Sequence, residues 1–205
     1  GSALIADPIH KYVTFTVPYA QPDPHEHTEK DLIDSPWVQR LRYIYQLQSA
    51  RWVYPSAEHT RFVHSLGTMH VAGQFARHLY PFLKKVVKDV PSPNFVEEFL
   101  RVTALVHDIG HGPFCHFFDD NFLHTHGLTH ERLGQIIIRE HLAPLIKKIR
   151  RSPSGPFAKG EELNPDQIAH LILKEKGKDN SRLPRWLDML QPVISWSYTG
   201  DNLDY

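Results

Sequence analysis

Apolar residues recur every three to four positions along most of the chain, which is the spacing of helices that bury one face. An alternating pattern occurs only at residues 12–17, where β-branched and aromatic side chains predict a strand or one arm of a hairpin. Capping residues, prolines and glycines then divide the remaining pattern into six predicted helices. These run from Ser35 through Gln48, His64 to Leu83, Phe95 to Ile109, Thr129 through Leu142 with a bend at Pro144, Asn164 to near Gly177, and Pro184 through Leu190.

The chain is expected to form one mostly α-helical domain over residues 1–205. This length is sufficient for a substantial hydrophobic core, and no internal repeat divides it. Gly1 and Ser2 are interpreted as the remnant of an expression tag and are left out of the predicted fold. Residues 151–160 are rich in Ser, Pro and Gly, which favours a mobile surface loop.

Charge and cysteine content narrow the function classes. Lys plus Arg equal Asp plus Glu, at 23 each, so no overall field favours nucleic acid or an anionic membrane. A local basic pocket remains compatible with this balance. The single cysteine excludes an intramolecular disulfide, and no apolar stretch indicates secretion or a membrane span. We therefore expect a cytoplasmic protein without a membrane partner.

Fifteen histidines are the unusual feature of the composition, and several lie between His107 and His130. The helix predicted over residues 95–109 is apolar nearly all round, yet it carries His107 and Asp108 side by side. Burying an unpaired carboxylate costs several kcal/mol. A divalent cation removes that conflict because it accepts both a carboxylate oxygen and an imidazole nitrogen. A His–Asp hydrogen bond at a helix end is the alternative that the pair alone leaves open.

Ordered motifs along almost the whole chain carry a family resemblance. They are Asp7-Pro8-Ile9-His10, Asp31-Leu32-Ile33-Asp34-Ser35-Pro36, Gln39-Arg40-Leu41-Arg42-Tyr43-Ile44-Tyr45-Gln46-Leu47, Arg61-Phe62-Val63-His64-Ser65-Leu66-Gly67, His107-Asp108-Ile109-Gly110-His111-Gly112-Pro113-Phe114, His130-Glu131 and Asp201-Asn202-Leu203-Asp204-Tyr205. With these motifs the sequence resembles the HD-domain phosphohydrolase superfamily, and within it the deoxynucleoside triphosphate triphosphohydrolase, dGTPase-like branch. The resemblance implies an HD-type helical bundle.

The resemblance implies one bound divalent transition-metal ion, held by His64, His107, Asp108 and Asp201. Two imidazoles and two carboxylates suit Mn, Fe, Ni, Co or Zn, and the sequence does not identify which. Asp204 lies about one helical turn after Asp201 and is the alternative fourth ligand.

A second group of residues is implied to perform proton transfer. By resemblance, His111 and His116 contact phosphates and handle protons, with Asp119 and His130 nearby. We interpret His116 as general acid or base, Asp119 as the carboxylate that orients it, and His130 as a supporting proton carrier. The alternative is that these are solvent-exposed loop histidines.

The resemblance also implies a substrate pocket. Arg61 would clamp a phosphate with its planar set of donors. Gln46 would bond the sugar 3′-hydroxyl, and Tyr205 would stack where a ribose 2′-hydroxyl would clash. Asn202 occupies a position that is a phosphate-contacting lysine in some relatives. A surface arginine and core-packed Gln46 and Tyr205 are the alternatives.

Three positions depart from the family pattern. Lys11 and Gln48 stand where the family usually has glycine, and Asn202 removes one charge from the phosphate site. The chain stops at Tyr205, inside the helix expected to carry the last metal ligand, so the family's C-terminal part lies outside it.

The expected reaction is hydrolysis of a deoxynucleoside triphosphate to deoxynucleoside and inorganic triphosphate. The metal ion would polarise an α-phosphoryl oxygen for attack by water, and a histidine would protonate the leaving sugar oxygen. Two alternatives remain: an HD phosphatase for nucleoside monophosphates or other small phosphoesters, and a non-catalytic nucleotide-binding regulatory module. The resemblance further implies a homo-oligomer.

Overall fold

Helices dominate the computed structural model, which describes residues 1–173 and 183–195. The prediction of a mostly helical domain with a short N-terminal hairpin is confirmed. Its helices are α1 (Glu29–Ile33), α2 (Pro36–Gln39), α3 (Arg61–Val86), α4 (Pro93–Val106), α5 (His116–Phe118), α6 (His130–Ile137), α7 (Ala143–Ile146), α8 (Pro165–Leu171) and α9 (Arg185–Ser195). The strands are β1 (Ser2–Asp7), β2 (Lys11–Thr16), β3 (Arg151–Ser152) and β4 (Gly155–Pro156).

The core is built on α4, which is enclosed on every side. Ser92 caps its start, since the Ser92 hydroxyl oxygen accepts a hydrogen bond from the Phe95 backbone N–H at 3.3 Å. Every residue from Phe95 to Val106 is buried. The long helix α3 packs along α4, and Thr60 caps it by accepting from the Val63 N–H at 3.5 Å. The ends of these two helices therefore place the residues around His64 and His107.

The helix predicted over residues 35–48 is shorter than expected. Helix α2 ends at Gln39, a 3₁₀ turn follows, and the backbone is extended at Ile44. Pairing with residues 59–61 accounts for the change, because the Arg61 N–H donates to the Ile44 carbonyl at 2.8 Å and the Gln46 N–H to the His59 carbonyl at 3.1 Å. This pairing holds Gln46 beside the start of α3.

The later helices follow their predicted starts more closely than their predicted ends. Thr129 caps α6, accepting from the Arg132 N–H at 3.3 Å, and a π-helical segment separates α6 from α7 near the bend expected at Pro144. Helix α8 starts at Pro165, as predicted. It ends at Leu171, before the predicted end near Gly177, which lies outside the described residues.

The expectation of an irregular surface loop at residues 151–160 is wrong at its start. Strands β3 and β4 form a tight hairpin there, and Arg151 and Ser152 are buried. Arg151 donates to Glu26 Oε1 at 3.0 Å and to the carbonyls of Gly1 at 2.8 Å and Val17 at 2.5 Å. Contacts with residues more than 120 positions away order this segment, so local composition was misleading.

Gly1 and Ser2 belong to the folded structure, although the sequence analysis left them out of the predicted fold. Ser2 pairs with Thr16 at the open end of the β1–β2 hairpin. Strand β2 turns Val13 and Phe15 towards the core. The hairpin predicted at residues 12–17 is thus present, with a first strand that the sequence pattern did not indicate.

A buried ion network of Glu29, Glu98 and Arg101 joins this hairpin to α1 and α4. Arg101 Nε donates to Glu29 Oε1 at 2.7 Å, and Arg101 Nη2 donates to the Thr14 carbonyl at 2.6 Å. Glu29 Oε2 accepts from the Thr16 N–H at 2.7 Å. Burial raises the pKa of Glu98 well above its usual range, and the nearby Glu29 charge raises it further.

Among the described helices, none combines the length and the apolar character that crossing a membrane requires.

Candidate active site

Three elements bring the candidate residues together: the start of α3, the turn after α4 and the start of α6. Arg40 holds the turn by donating to the carbonyls of Ile109 and, at 2.7 Å, His111. Gly110 lets α6 approach, because a Cβ at this position would lie 1.8 Å from the His130 carbonyl oxygen. Any larger residue there would push the start of α6 away from the turn.

His64, His107 and Asp108 form what we call the HD cluster. Each offers one ligand atom, and these atoms all lie within 4.8 Å of one another. His107 Nε2 lies 3.4 Å from Asp108 Oδ1, and His64 Nε2 lies 3.9 Å from Asp108 Oδ2. The two imidazole rings meet edge to face with their centroids 5.3 Å apart. The arrangement resembles one side of a coordination shell.

Outer contacts orient both imidazoles of the HD cluster. His107 Nδ1 lies 2.6 Å from the Ala104 carbonyl oxygen, which requires a proton on Nδ1 and leaves the Nε2 lone pair facing Asp108. His64 Nδ1 lies 3.5 Å from the Thr68 hydroxyl oxygen, whose own proton goes to the His64 carbonyl at 2.9 Å. Both rings therefore present Nε2 to the same point.

Asp108 stays ionised although it is buried. Burial alone would raise the pKa of Asp108, but its electrostatic interactions with His107 and Arg61 outweigh burial and hold the pKa well below its usual range. Arg61 Nη1 bonds Asp108 Oδ2. The other carboxylate oxygen, Oδ1, is left for a further partner.

The HD cluster fits a divalent transition-metal ion. Two oriented imidazole nitrogens and one ionised carboxylate oxygen make a mixed N/O donor set, which suits Mn, Fe, Co, Ni or Zn. These are the three predicted ligands that fall within the described residues. Asp201, the predicted fourth ligand, and its alternative Asp204 lie outside them.

His111, His116, Asp119 and His130 form a second group, the histidine cluster. All three histidines turn Nδ1 towards one oxygen, Asp119 Oδ2, at 3.6 Å for His111, 3.3 Å for His116 and 2.7 Å for His130. The His111 and His130 rings are stacked with their centroids 3.8 Å apart. The four residues predicted to perform proton transfer are thus neighbours in the fold.

Exposure differs sharply within the histidine cluster. His111 and Asp119 are buried and His130 is half-buried, whereas the His116 side chain is 63% exposed. Burial lowers the pKa of His111 to about 2, so this ring is neutral near pH 7. The alternative of solvent-exposed loop histidines therefore fits His116 alone, which is also the member that a substrate could reach.

The two clusters share a boundary at His111. His111 Nε2 lies 3.6 Å from Asp108 Oδ1, while its Nδ1 faces Asp119. One neutral imidazole thus separates the carboxylate of the HD cluster from that of the histidine cluster.

The predicted substrate-binding residues are only partly described. Arg61 is buried against Asp108 rather than lying on the surface. Gln46 is half-buried, and within the described chain its Oε1 atom is buried without a hydrogen-bond partner, which leaves this acceptor unsatisfied. Asn202 and Tyr205 lie outside the described residues.

Sequence reasoning missed three residues that support the site: Arg40, Cys115 and Glu131. Cys115 Sγ accepts from Arg61 Nε at 3.0 Å and donates to the Tyr45 carbonyl at 3.4 Å. Its φ of 47° lies in the left-handed region, so this contact holds a strained turn just before His116. Glu131 Oε1 lies 3.3 Å from His130 Nε2. Arg40 and Glu131 stand within motifs quoted from the sequence but were assigned no role there, whereas Cys115 stands in none of those motifs.

Comparison with known proteins places this geometry in a family. The HD domain family model matches residues 61–191. The deoxynucleoside triphosphate triphosphohydrolase SAMHD1 of Bos taurus is 37% identical over 146 residues, which cover 68% of this chain and 22% of that protein. An uncharacterized protein of Methanocaldococcus jannaschii is 37% identical over 202 residues, covering 98% of this chain and 32% of that protein.

A solved structure is similar over the whole chain. The crystal structure of a hypothetical protein from Aquifex aeolicus superposes with a TM-score of 0.66 at 26% identity, covering 100% of this chain and 45% of that one. The chain spans less than half the length of each of these relatives. Because the family model covers more than half of the chain and includes both clusters, the chain belongs to the HD domain family.

Proposed function

We propose that the protein is a metal-dependent phosphohydrolase that converts deoxynucleoside triphosphates to deoxynucleosides and inorganic triphosphate. The observation that supports it most is the position of the oriented HD cluster directly beside the histidine cluster. The similarity to SAMHD1 supports the choice of substrate class. By the same resemblance, we propose a cytoplasmic homo-oligomer.

His64, His107 and Asp108, together with Asp201, would hold the metal ion. When bound there, such an ion supplies Lewis-acid activation of a phosphoryl oxygen and of water. Arg61 fixes the orientation of the Asp108 carboxylate and adds a permanent positive charge near the incoming phosphate.

His116 would exchange the proton with the leaving sugar oxygen. Its Nδ1 faces Asp119 Oδ2 at 3.3 Å, so the carboxylate fixes the proton on Nδ1 and orients the ring. Nε2 on the exposed side is then the atom available to substrate. His130 shares Asp119 and can exchange a proton with the same oxygen at 2.7 Å.

The sugar would be held by Gln46. Its buried Oε1 atom suits a hydroxyl donor such as the sugar 3′-hydroxyl. Tyr205 is proposed to pack where a ribose 2′-hydroxyl would sit, and Asn202 to contact the phosphates without adding charge. Burying an unpaired hydroxyl costs ~1–3 kcal/mol before any steric contribution, which would favour deoxyribose.

The neutral Asn202 favours one second candidate. Without a cationic side chain at that position, the site would hold a nucleoside monophosphate or another small phosphoester more readily than a triphosphate.

Paired ribo- and deoxyribonucleoside triphosphates distinguish these functions. The chain is assayed with added Mn²⁺, following nucleoside and triphosphate release separately. We expect faster hydrolysis of the deoxyribonucleotides, with triphosphate as a product. Equal rates for both sugars, or release of inorganic monophosphate only, would contradict the proposed substrate.

His116→Ala tests the role of the histidine cluster. Turnover should fall by ~10²–10⁴-fold, the usual contribution of a positioned acid or base, while the metal ion of the HD cluster is retained. His124→Ala is the matched control, because His124 is also exposed and pairs with a carboxylate, Asp120, at 3.5 Å. Equal turnover in the two variants would remove His116 from the mechanism.

A further inference from the structure

Three imidazoles compete for one carboxylate oxygen in the histidine cluster. The Nδ1 atoms of His111, His116 and His130 lie at 3.6, 3.3 and 2.7 Å from Asp119 Oδ2. A carboxylate oxygen has two lone pairs, so it serves at most two N–H donors well. Protons on all three Nδ1 atoms would therefore leave at least one donor poorly bonded.

Other carboxylates can accept a proton from Nε2 of two of these rings, so the opposite tautomer is also available to them. His111 Nε2 lies 3.6 Å from Asp108 Oδ1, and His130 Nε2 lies 3.3 Å from Glu131 Oε1. A proton on Nε2 satisfies these carboxylates and turns the Nδ1 lone pairs towards Asp119. Lone pairs that converge on a carboxylate repel it unless a cation lies between them.

Two buried polar atoms of the histidine cluster lack a hydrogen-bond partner within the described residues. Within the described chain, His111 Nδ1 and Asp119 Oδ1 are buried and make no hydrogen bond. Their residues are only 2% and 3% exposed. Unsatisfied polar atoms at such depth are rare, and an ion is one of the explanations for them.

We propose that the histidine cluster is a second cation site, selective for imidazole-binding ions such as Zn²⁺. The four ligand atoms lie within 4.8 Å of one another. Tetrahedral bonds of ~2.0–2.2 Å place the ligand atoms of a zinc site ~3.4 Å apart. The distances of 3.3 and 3.6 Å match this spacing, and the 2.7 Å contact lengthens when the ion replaces the shared proton.

Occupancy of this site inhibits hydrolysis, a consequence that rests on the proposed function. Two of the Nδ1 atoms that bind the ion, those of His116 and His130, are those that Asp119 otherwise keeps protonated. An ion there removes both the positioned proton and the orienting carboxylate from His116. Excess Zn²⁺ should therefore suppress turnover while the HD cluster keeps its own metal.

Metal stoichiometry tests the second site without any assay of activity. Metal-free protein is titrated with Co²⁺, freed of unbound ion by gel filtration and analysed for metal. We expect two ions per chain in the wild type, one in Asp108→Ala and one in the His116→Ala/His130→Ala variant. His124→Ala should bind two. The visible absorption of tetrahedral Co²⁺ should persist in Asp108→Ala and disappear from the double variant.

Folding of the double variant is checked by circular dichroism, and His116→Ala serves where it fails. His116 is exposed, so its loss should weaken the second ion at least tenfold without unfolding the chain. Two tightly bound ions in these variants would overturn the second site, as would a wild type that binds a single ion and loses it in Asp108→Ala. Absence of hydrolysis under all conditions would instead overturn the proposed function, leaving the ion counts to decide this proposal.

Discussion

In both the HD cluster and the buried ion network, carboxylates are buried beside an arginine. The two regions differ in what their polar atoms face: those of Arg101 and Glu29 in the network bond one another, whereas the histidine Nε2 atoms of the HD cluster face Asp108. In the buried ion network, Arg101 bonds Glu29 and the Thr14 carbonyl, joining segments more than 70 residues apart. In the HD cluster, Arg61 takes one oxygen of Asp108, and outer contacts turn the histidine Nε2 atoms inward. Burial of charge alone therefore does not mark a functional site; the direction of the ligand atoms does.

The two regions also shift carboxyl pKa values in opposite directions. The charges around Asp108 lower its pKa despite burial, whereas burial and the charge of Glu29 raise that of Glu98. Asp108 is thus favoured as an anion that can bind a cation, while burial favours the protonated form of Glu98 in a network with more carboxylates than arginines.

The largest expected effect is loss of the metal from the HD cluster. His107→Ala or Asp108→Ala should abolish binding there, since each removes a ligand and leaves the others unsatisfied. Metal analysis measures this loss when each change is made in the His116→Ala/His130→Ala background, which lacks the proposed second site. Glu98→Gln, a change in the other region, should keep full occupancy. A His107→Ala/Asp108→Ala variant that holds its ion in that site would refute the ligand assignment.

Removing the arginine of the buried ion network should lower stability instead. Arg101→Met leaves Glu29 buried and uncompensated, which is expected to lower the free energy of unfolding by ~3–5 kcal/mol. Urea denaturation monitored by circular dichroism measures the change. Arg150→Ala removes an exposed pair with Glu162 and should cost at most ~1 kcal/mol. Similar losses in both variants would contradict the role assigned to Arg101.

The smallest effect is a pH dependence that Glu98→Gln should remove. As pH rises above the unfolded pKa, near ~4.3, the unfolded chain releases this proton while the folded chain keeps it. The contribution of Glu98 to stability is therefore full below that pH and declines as pH rises towards the folded pKa. The difference in unfolding free energy between Glu98→Gln and wild type should grow in favour of the variant by ~1.4 kcal/mol per pH unit. A difference independent of pH between 4 and 7 would show that Glu98 is ionised when folded.

Sequence patterns located the helices and grouped the candidate residues, but they did not reveal the contacts that hold them. The buried α4 was predictable because apolar residues surround His107. The early end of α2 was not, since pairing of Ile44 with Arg61 overrides a helical pattern. Arg151 orders residues 151–152 through carbonyls far away in sequence.

In the candidate site as well, residues within short motifs could be predicted from the sequence, whereas contacts between distant segments could not. The predicted metal ligands His64, His107 and Asp108 stood out by residue type and motif, and the structure brings them together. The contact of Arg61 with Cys115 spans 54 residues and has no signature in either segment. The assignments of Asp201, Asn202 and Tyr205 remain predictions, since they lie outside the described residues.

Gly110 gives the site a strict steric constraint. It contributes no ligand and no proton, yet the nearest atom to its absent Cβ is the backbone of the first residue of α6. A side chain at residue 110 would clash with main-chain atoms, which cannot rotate away, so even a small replacement such as alanine would not avoid the clash. The position should tolerate no substitution in a library selected for activity, while neighbouring surface positions drift freely. The close approach of α6 to the turn after α4, and so the distance between the two clusters, therefore depends on the absence of a Cβ atom at residue 110.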